Sequence, residues 1–266
     1  MKLKKKKSIT PGTRHQVKII KNVLSKSSNI IKNLSFNIHR NVGRSSLTGH
    51  ITVRARGAGV KKLYRNVDRI STNNLGIIVC SFFNPNSTAY NSLFFDLINY
   101  KFFLKNSIAS SYTGSILACA NKILDLKLGF RLNLLHIPVG VIINNITNKN
   151  NTKSLYARAA GTFCQIIQKN QSQSLIRLPS NQIVKISNLS FASIGSVSNS
   201  LNNTTVLGKA GINRLKGFRS KVRGIAMNPV DHPHGGRTNG GMPSVTPWSK
   251  PCKGKPTVKK KRIFKI

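Results

Sequence analysis

The order of hydrophobic and polar residues predicts short β-strands through most of the chain. In ITVRAR, residues 51–56, apolar side chains alternate with Thr and Arg, which predicts a strand with one core face and one cationic face. Residues 57–59, GAG, then predict a turn, because glycine tolerates tight backbone reversals. The chain would return as KKLYRNVDR, so the pattern indicates a hairpin from which guanidinium groups project.

Two blocks of such strands are predicted. Apolar runs at 75–83, 92–104 and 115–118 are separated by Asn, Ser, Pro and Gly, and with the hairpin they indicate about five strands closing a small barrel. A second strand-rich block follows from Leu126, with turns at 169–173 and 179–181. The predicted fold class is therefore mainly β, with two small barrels.

The pattern ends after Leu207, where Gly, Pro, Lys and Arg follow one another without an apolar face. Such a segment cannot offset its conformational entropy by burial in its own protein, so an external scaffold should order it. Its glycines allow the backbone to approach a crowded surface, and its prolines restrict the unfolded ensemble. The alternative is a flexible basic tail without a fixed shape.

Charge identifies the kind of scaffold. The 266 residues include 44 Lys and Arg against four Asp and no Glu, a formal net charge of +40. This balance requires a polyanionic partner, and a nucleic acid fits better than a membrane because the basic residues run through the whole length. The longest stretch without charged side chains, 70–95, is interrupted by Asn and Pro, so we predict no transmembrane span.

Composition also suggests a compartment. The four cysteines are widely spaced and form no CxxC pair, which argues against a zinc knuckle or a disulfide framework and favours reducing conditions. Abundant Lys, Asn, Ile, Ser and Phe indicate an AT-rich coding genome. We expect a mitochondrion, with a plastid or a bacterial cytoplasm as alternatives. The basic N-terminus is either a transit peptide or part of the mature RNA-contacting surface.

Seven stretches, in order, resemble the signature stretches of ribosomal protein L2 of the bacterial type. They are GRSSLTGHITVRARGAGVKKLYRNVD (43–68), FNPNSTA (83–89), IPVG (137–140), ARAAGT (157–162), VLGKAG (206–211), RGIAMNPVDHPHGG (223–236) and VTPWSKPCKGK (245–255). The resemblance covers essentially the whole chain. TPGTRHQVKI is similar to the mature N-terminal segment of that family, so we expect no cleaved transit peptide.

The resemblance implies a domain order and a function. It implies a basic N-terminal extension at 1–40, an OB-fold barrel at 41–120, an SH3-like barrel at 121–205, and an extended tail at 206–266 that enters large-subunit rRNA toward the peptidyl-transferase region. The implied function is structural: rRNA binding, subunit association and support of translation, without enzymatic activity. Expected partners are large-subunit rRNA, neighbouring ribosomal proteins and the small subunit, with no cofactor beyond Mg²⁺ held by rRNA.

Most of the expected RNA contacts are basic residues. We expect them from Arg44, Arg54, Arg56, Lys61, Lys62, Arg65, Arg158, Lys209, Arg214, Arg219, Lys221, Arg223, Asn228, His232, His234, Arg237, Trp248, Lys253 and Lys255. Trp248 is either a stacking platform for a base or Arg, or a cap on a small apolar cluster.

Three interpretations compete for Asp231, His232 and His234. A metal site has only these three ligands and no Cys/His pair nearby in sequence. A general base at His232 is chemically possible, and the family position is one discussed for peptidyl transfer, but no nucleophile or oxyanion donor accompanies it. We favour an architectural loop in which the Asp231 carboxylate accepts backbone N–H groups or pairs with Arg223 or Arg237. The loop-shaping residues would be Asp231, Pro229, Pro233, Gly235 and Gly236.

The chain departs from the family at several positions. Arg237, Thr238 and Asn239 stand where the family continues with Gly and Glu, and Ala55 and Val60 stand where it commonly has His. Two rival functions remain: a general architectural protein that compacts DNA, and a metal-dependent nuclease that uses the Asp-His-His group.

Overall fold

The computed structural model describes residues 2–21, 24–25, 28–37, 43–57, 59–68, 73–120, 125–147, 153–237, 240–241 and 243–254. The chain divides into two compact units. The core unit consists of residues 1–39 and 62–209, and the basic unit of residues 40–61 and 210–266. Within the described ranges, no helix has the length and apolar character needed to cross a bilayer.

Short strands make up most of the regular structure, as the sequence predicts. The strands are β1 (Leu3–Lys5), β2 (Val17–Ile19), β3 (Ser35–Asn37), β4 (Leu63–Arg65), β5 (Asn74–Phe82), β6 (Asn91–Asp96), β7 (Lys101–Asn106), β8 (Ile116–Cys119), β9 (Arg131–Asn133), β10 (Ile142–Asn144), β11 (Ile146–Thr147), β12 (Ser154–Tyr156), β13 (Cys164–Lys169), β14 (Gln173–Arg177), β15 (Ile183–Ser187) and β16 (Phe191–Ile194). The helices are α1 (Pro11–Arg14), α2 (Asn29–Asn33) and α3 (Ala210–Leu215), with 3₁₀ turns η1 (Leu134–His136), η2 (Ser200–Thr204) and η3 (Gly224–Ala226).

Ten strands form one sheet in the order β15-β14-β13-β10-β16-β9-β8-β5-β6-β7. Its neighbours pair antiparallel except at β8 and β9, where Cys119 and Arg131 are partners in a parallel pair. This parallel step joins the two strand blocks that the sequence predicts. The mainly β fold class is confirmed, while the OB-fold and SH3-like assignments and their boundaries stay predictions.

Hydrophobic side chains are buried on the inner faces of these strands. In β14, Ser174 and Ile176 are buried between more exposed neighbours, the alternation typical of a half-buried strand. A separate, smaller cluster is formed by Ile31, Phe82, Leu93 and Leu104. The largest cluster belongs to the second strand block and includes Leu132, Leu134, Ile137, Ile143, Ile146, Ile166, Ile176 and Ala192.

The N-terminal segment, expected as a basic extension, contributes to the core unit. Ile31 in α2 is fully buried. Val17 in β2 forms a bridge with Val206, and the Gln16 side-chain amide donates a hydrogen bond to the Leu207 carbonyl oxygen at 2.9 Å. The lysines of the opening run, in contrast, are exposed and remain available to an anionic partner.

The hairpin predicted from residues 51–56 and 61–69 is wrong; of its second half, residue 69 lies outside the described residues. Residues 51–56 form no strand, and Ala55 has a φ of 56°, outside the extended region. Ile51 and Val53 are 55% and 49% exposed, so the alternation has no core to face. β4, the predicted second strand, pairs instead with β3.

Candidate nucleic-acid interface

The basic unit combines two segments that are distant in sequence. The Gly57 N–H donates to the Gly217 carbonyl oxygen at 2.9 Å, and the Val60 N–H donates to the Leu215 carbonyl oxygen at 2.9 Å. Gly59 has a φ of 64°, and a Cβ there would lie 2.7 Å from the Leu215 carbonyl oxygen. Only glycine fits this close approach. The C-terminal segment therefore forms backbone hydrogen bonds with Gly57 and Val60.

Helix α3 begins the C-terminal segment of the basic unit and ends at Leu215, two residues before Gly217, whose φ is 95°. The Gly217 N–H donates to the Arg214 carbonyl oxygen and the Phe218 N–H to the Asn213 carbonyl oxygen, at 2.9 and 3.0 Å. This is the usual glycine-terminated helix end, and it turns the chain sharply. Arg214 thereby lies at the helix C-terminus, where a cation interacts favourably with the helix dipole.

Aromatic rings lie beside two of the predicted contact arginines. The Arg56 guanidinium lies over the Phe218 ring, 4.5 Å from its centroid, and the Arg54 guanidinium lies 5.4 Å from the centroid of Trp248. Asp231 is the one acidic residue in the sequence of the basic unit. The ring faces thus orient the two guanidinium groups in a unit where carboxylates are scarce. The positive charge of both arginines stays available to an anion.

Most of the predicted RNA-contacting residues are exposed. Within the basic unit these are Arg44, Arg54, Arg56, Lys61, Arg214, Arg219, Lys221, Arg223, Asn228, Arg237, Trp248 and Lys253, and within the core unit Arg158 and Lys209. Lys62, Arg65 and His234 are half-buried, and His232 is buried. Lys255, Thr238 and Asn239 lie outside the described residues. Lys216, also expected from the sequence to contact phosphate, is exposed, and Lys250 is a further exposed cation of the basic unit that was not predicted.

The Arg65 guanidinium forms contacts within the core unit. Its Nη1 donates to the Phe83 carbonyl oxygen at 2.5 Å, and its guanidinium lies 5.0 Å from the centroid of Phe82. Burial lowers the pKa of the Arg65 guanidinium from its ordinary value. These contacts make Arg65 a residue that stabilises the strand end.

Backbone hydrogen bonds shape the loop that contains the two histidines. The N–H groups of Asp231 and His232 both donate to the Asn228 carbonyl oxygen, at 3.0 and 3.3 Å. A Cβ on Gly235 would collide with that same carbonyl, and Gly236 has a φ of 97°. Both glycines are therefore required by the geometry, as the loop-shaping interpretation expects.

Asp231 does not act as expected. Its side chain is exposed and, among the residues the structure describes, it makes no hydrogen bond or ion pair, including with Arg223 or Arg237. Its backbone N–H, rather than its carboxylate, closes the turn. Over the described ranges, no three His, Cys or acidic side chains gather closely enough to hold a metal ion.

The two histidines have defined hydrogen-bonding roles. His232 is 8% exposed, and a Cβ on Gly224 would lie 2.6 Å from its ring. The His234 N–H donates to the His232 Nδ1 at 3.0 Å, so this nitrogen carries no proton and the neutral ring carries its proton on Nε2. The His234 Nε2 donates to the Pro243 carbonyl oxygen at 2.8 Å. His232 thus accepts a hydrogen bond at Nδ1, which leaves its Nε2–H as a donor.

Phe218 holds a predicted contact residue, Arg56, against its ring and was not itself predicted from the sequence. It stands between Gly217 and Arg219, an aromatic residue in a segment otherwise rich in Gly, Lys and Arg. The sequence signal for Phe218 is an isolated aromatic residue among cations, because aromatic rings in such surroundings favour cation–π pairs. The identity of its partner, Arg56, depends on a pairing between distant segments.

Comparison with known proteins gives consistent similarities. The family model described as "Ribosomal Proteins L2, C-terminal domain" matches residues 127–252. The chain is 39% identical to the large ribosomal subunit protein uL2m of Reclinomonas americana, over 100% of this chain and 97% of that protein. It is 38% identical to uL2 of Dinoroseobacter shibae, over 98% and 94%, and 38% identical to uL2 of Brucella ovis, over 100% and 96%.

Proposed function

Because the chain belongs to the ribosomal protein L2 family, whose members are structural constituents of the large ribosomal subunit, we propose that it binds large-subunit rRNA through its basic unit. The basic unit would lie near the peptidyl-transferase region and support subunit association and translation. Neighbouring ribosomal proteins and the small subunit are the other proposed partners, and Mg²⁺ would be present only through the rRNA.

One observation supports this proposal most strongly. The basic unit presents exposed Lys and Arg side chains along both of its segments, with Asp231 as its one acidic residue in the sequence. Phosphate groups neutralise such a surface and release counterions, a gain that does not depend on base sequence. Glycine positions such as Gly235 and Gly236 fix the backbone that presents it.

The proposed location is the ribosome of a mitochondrion. The relative from Reclinomonas americana is a mitochondrial protein by its name, while other relatives are bacterial. The biased composition favours an organelle over a bacterial cytoplasm. Cosedimentation of a tagged chain with ribosomes from isolated mitochondria, and not with plastid ribosomes, is the expected result.

The salt dependence of RNA binding tests the proposed function. The full chain is titrated with a large-subunit rRNA fragment at several salt concentrations, and Lys221→Ala should reduce the slope of log K against log salt by about one. Lys127→Ala is the matched control, because Lys127 is an exposed core-unit lysine that pairs with Asp125 at 3.3 Å. Its slope should equal that of the unchanged chain.

Competition separates the rival functions. Duplex DNA that displaces the rRNA fragment equally well at moderate salt would favour a general DNA-compacting protein. Metal-dependent cleavage of the fragment would favour a nuclease, with Asp231, His232 and His234 as its ligands. Selective binding without cleavage is the expected outcome.

We also propose that His232 stabilises the loop and takes no part in peptidyl transfer as a base. In His232→Asn the amide oxygen can replace Nδ1 as acceptor for the His234 N–H, but an amide cannot accept a proton at neutral pH. Ribosomes with His232→Asn should therefore assemble and form peptide bonds normally, whereas His232→Ala should lower assembly and activity together. Fully assembled His232→Asn ribosomes that fail in peptide-bond formation would support the catalytic interpretation.

A further inference from the structure

Trp248 is held on a closed turn. The Thr246 N–H donates to the Lys250 carbonyl oxygen at 2.8 Å, and the Lys250 N–H donates to the Thr246 Oγ1 at 3.1 Å. Outside these bonds, Val245 and Pro251 form an antiparallel bridge. A small hydrogen-bonded hairpin therefore carries the indole.

The exposure of Trp248 excludes a role as the cap of an apolar cluster. Its side chain is 65% exposed, and it belongs to none of the buried clusters among the described residues. An aromatic residue of this size gains several times more from coverage than a smaller apolar residue, because the hydrophobic gain scales with area. A largely exposed indole on a hydrogen-bonded turn indicates a partner with a flat apolar face.

The surroundings of Trp248 define the charge of that partner. The Arg54 guanidinium lies 5.4 Å from the ring centroid, and Lys250 and Lys253 are exposed on the same segment of chain. No described acidic side chain stands within this segment, because Asp231 is the one acidic residue in the sequence of the basic unit. A ligand that combines a flat aromatic group with negative charge is a nucleotide.

Taken together, these features lead us to infer that Trp248 is a stacking platform for an unpaired nucleobase of RNA, with Arg54 beside it to contact the adjoining phosphate. This inference rests on the proposed rRNA binding and adds to it a recognition mode other than phosphate contact. The base must be unpaired, since both faces of a base in an A-form helix are covered by its neighbours.

Fluorescence provides a direct test, because Trp248 is the only tryptophan of the chain. The full chain is titrated with a short single-stranded oligoadenylate, with duplex RNA and with inorganic polyphosphate at equal phosphate concentration. Stacking of adenine on the indole should quench the emission strongly, whereas polyphosphate and the duplex should quench it little. Equal quenching by polyphosphate and oligoadenylate would overturn the inference.

Three variants keep the test independent of folding. Trp248→Leu should weaken oligoadenylate binding about tenfold, and Trp248→Phe, which retains a ring, should stay within about threefold of the unchanged chain. Tyr112→Leu is the control, because Tyr112 is a 72% exposed aromatic of the core unit, and it should change nothing. Polyphosphate binding should be the same in all of them.

The outcomes distinguish this inference from the proposed function. If Trp248→Leu binds oligoadenylate as tightly as the unchanged chain, the stacking platform is overturned, while salt-dependent binding of the rRNA fragment leaves the proposed function intact. If the chain fails to bind the rRNA fragment at all, the proposed function falls and the platform falls with it.

Discussion

The core unit buries hydrophobic side chains such as Leu132, Leu134 and Ile143 completely, whereas no described hydrophobic side chain of the basic unit is buried. The buried positions described in the basic unit are Gly43, Gly217 and His232. Close packing there is packing of backbone, not of apolar side chains. The two units hold their conformations in different ways. The core unit depends on the hydrophobic effect, and the basic unit depends on hydrogen-bonded turns without a hydrophobic core.

This difference has an energetic consequence. A buried Leu or Ile contributes about 1.5–3 kcal/mol relative to an exposed one. A backbone hydrogen bond contributes about 1 kcal/mol net, roughly what it costs to fix one residue of backbone. The basic unit on its own is therefore close to the balance point, and neutralisation of its Lys and Arg residues by phosphate should complete its stability.

Hydrogen exchange without RNA should show the largest contrast. Amides of β6 and β14 should exchange only through global opening, which costs at least about 5 kcal/mol and slows exchange by about a thousandfold or more. Amides of residues 223–236 should exchange nearly as fast as in an unfolded peptide. Mass spectrometry of peptides from the full chain measures both, and addition of an rRNA fragment should protect only the second set. Equal protection of the two sets in RNA-free protein would break the comparison.

Matched leucine substitutions should give the next largest effect. Leu132 is 0% exposed in the core unit and Leu215 is 58% exposed in the basic unit. Leu132→Ala should lower the free energy of unfolding by about 2–5 kcal/mol, because it removes buried area and leaves a cavity. Leu215→Ala should change it by less than about 0.5 kcal/mol. Urea denaturation measures both, and similar losses for the two variants would contradict the contrast.

The same contrast explains what could be predicted from the sequence. Strands such as β15 alternate because one face meets a core: Val184 and Ile186 pack into it, and Lys185 between them is exposed, a periodicity that can be read from the sequence. Residues 51–56 show a similar alternation but face no core, and periodicity alone cannot tell the two cases apart. Thr52 and Val53 bond locally to the Gly43 carbonyl oxygen, whereas Ala55 and Arg56 pair with residues 218–219. The second pairing joins distant segments through backbone groups that leave no side-chain pattern.

The residue types of the candidate interface could be predicted from the sequence, but their spatial arrangement could not. Exposed cations such as Arg219 and Arg223 follow from charge, because the sequence of the basic unit holds one carboxylate against its many Lys and Arg residues. The role of Asp231 was not predictable, because the loop satisfies its N–H groups with the Asn228 carbonyl oxygen and leaves the carboxylate exposed.

Glycine substitutions should sharpen the comparison with a smaller effect. Gly235→Ala would place a Cβ against the Asn228 carbonyl, and Gly240→Ala would meet nothing within 4 Å. The local strain in Gly235→Ala, about 1–3 kcal/mol, corresponds to a loss of about five- to 150-fold in affinity for an rRNA fragment. Gly240→Ala should bind normally, and neither variant should change the urea midpoint of the core unit. A lower midpoint for Gly235→Ala would mean that the loop contributes to the core.

Thiol modification should perturb the molecule least. The rate at which each cysteine is labelled reports whether the unit that contains it opens. Burial raises the pKa of Cys119 to about 11, although Arg131 and Lys105 oppose the rise, and burial raises the pKa of Cys164 to about 12. Cys252, in the basic unit, is exposed. Because the thiolate is the reactive form, iodoacetamide at pH 8 should label Cys252 in the native protein and leave Cys119 and Cys164 unlabelled until unfolding.

The pH dependence of labelling and of stability should follow from the raised pKa values. The protonated thiols favour the folded state, so their stabilisation is fully present below the pKa of an unfolded thiol, about 8.5, and is lost as the pH rises through about 11 and 12. Peptide mapping after alkylation between pH 8 and pH 11 should therefore show Cys119 labelling before Cys164, and both long after Cys252. If Cys164 in the native protein were labelled as fast as Cys252, the core unit would open as readily as the basic unit. Burial of hydrophobic side chains would then not make the core unit more stable than the basic unit.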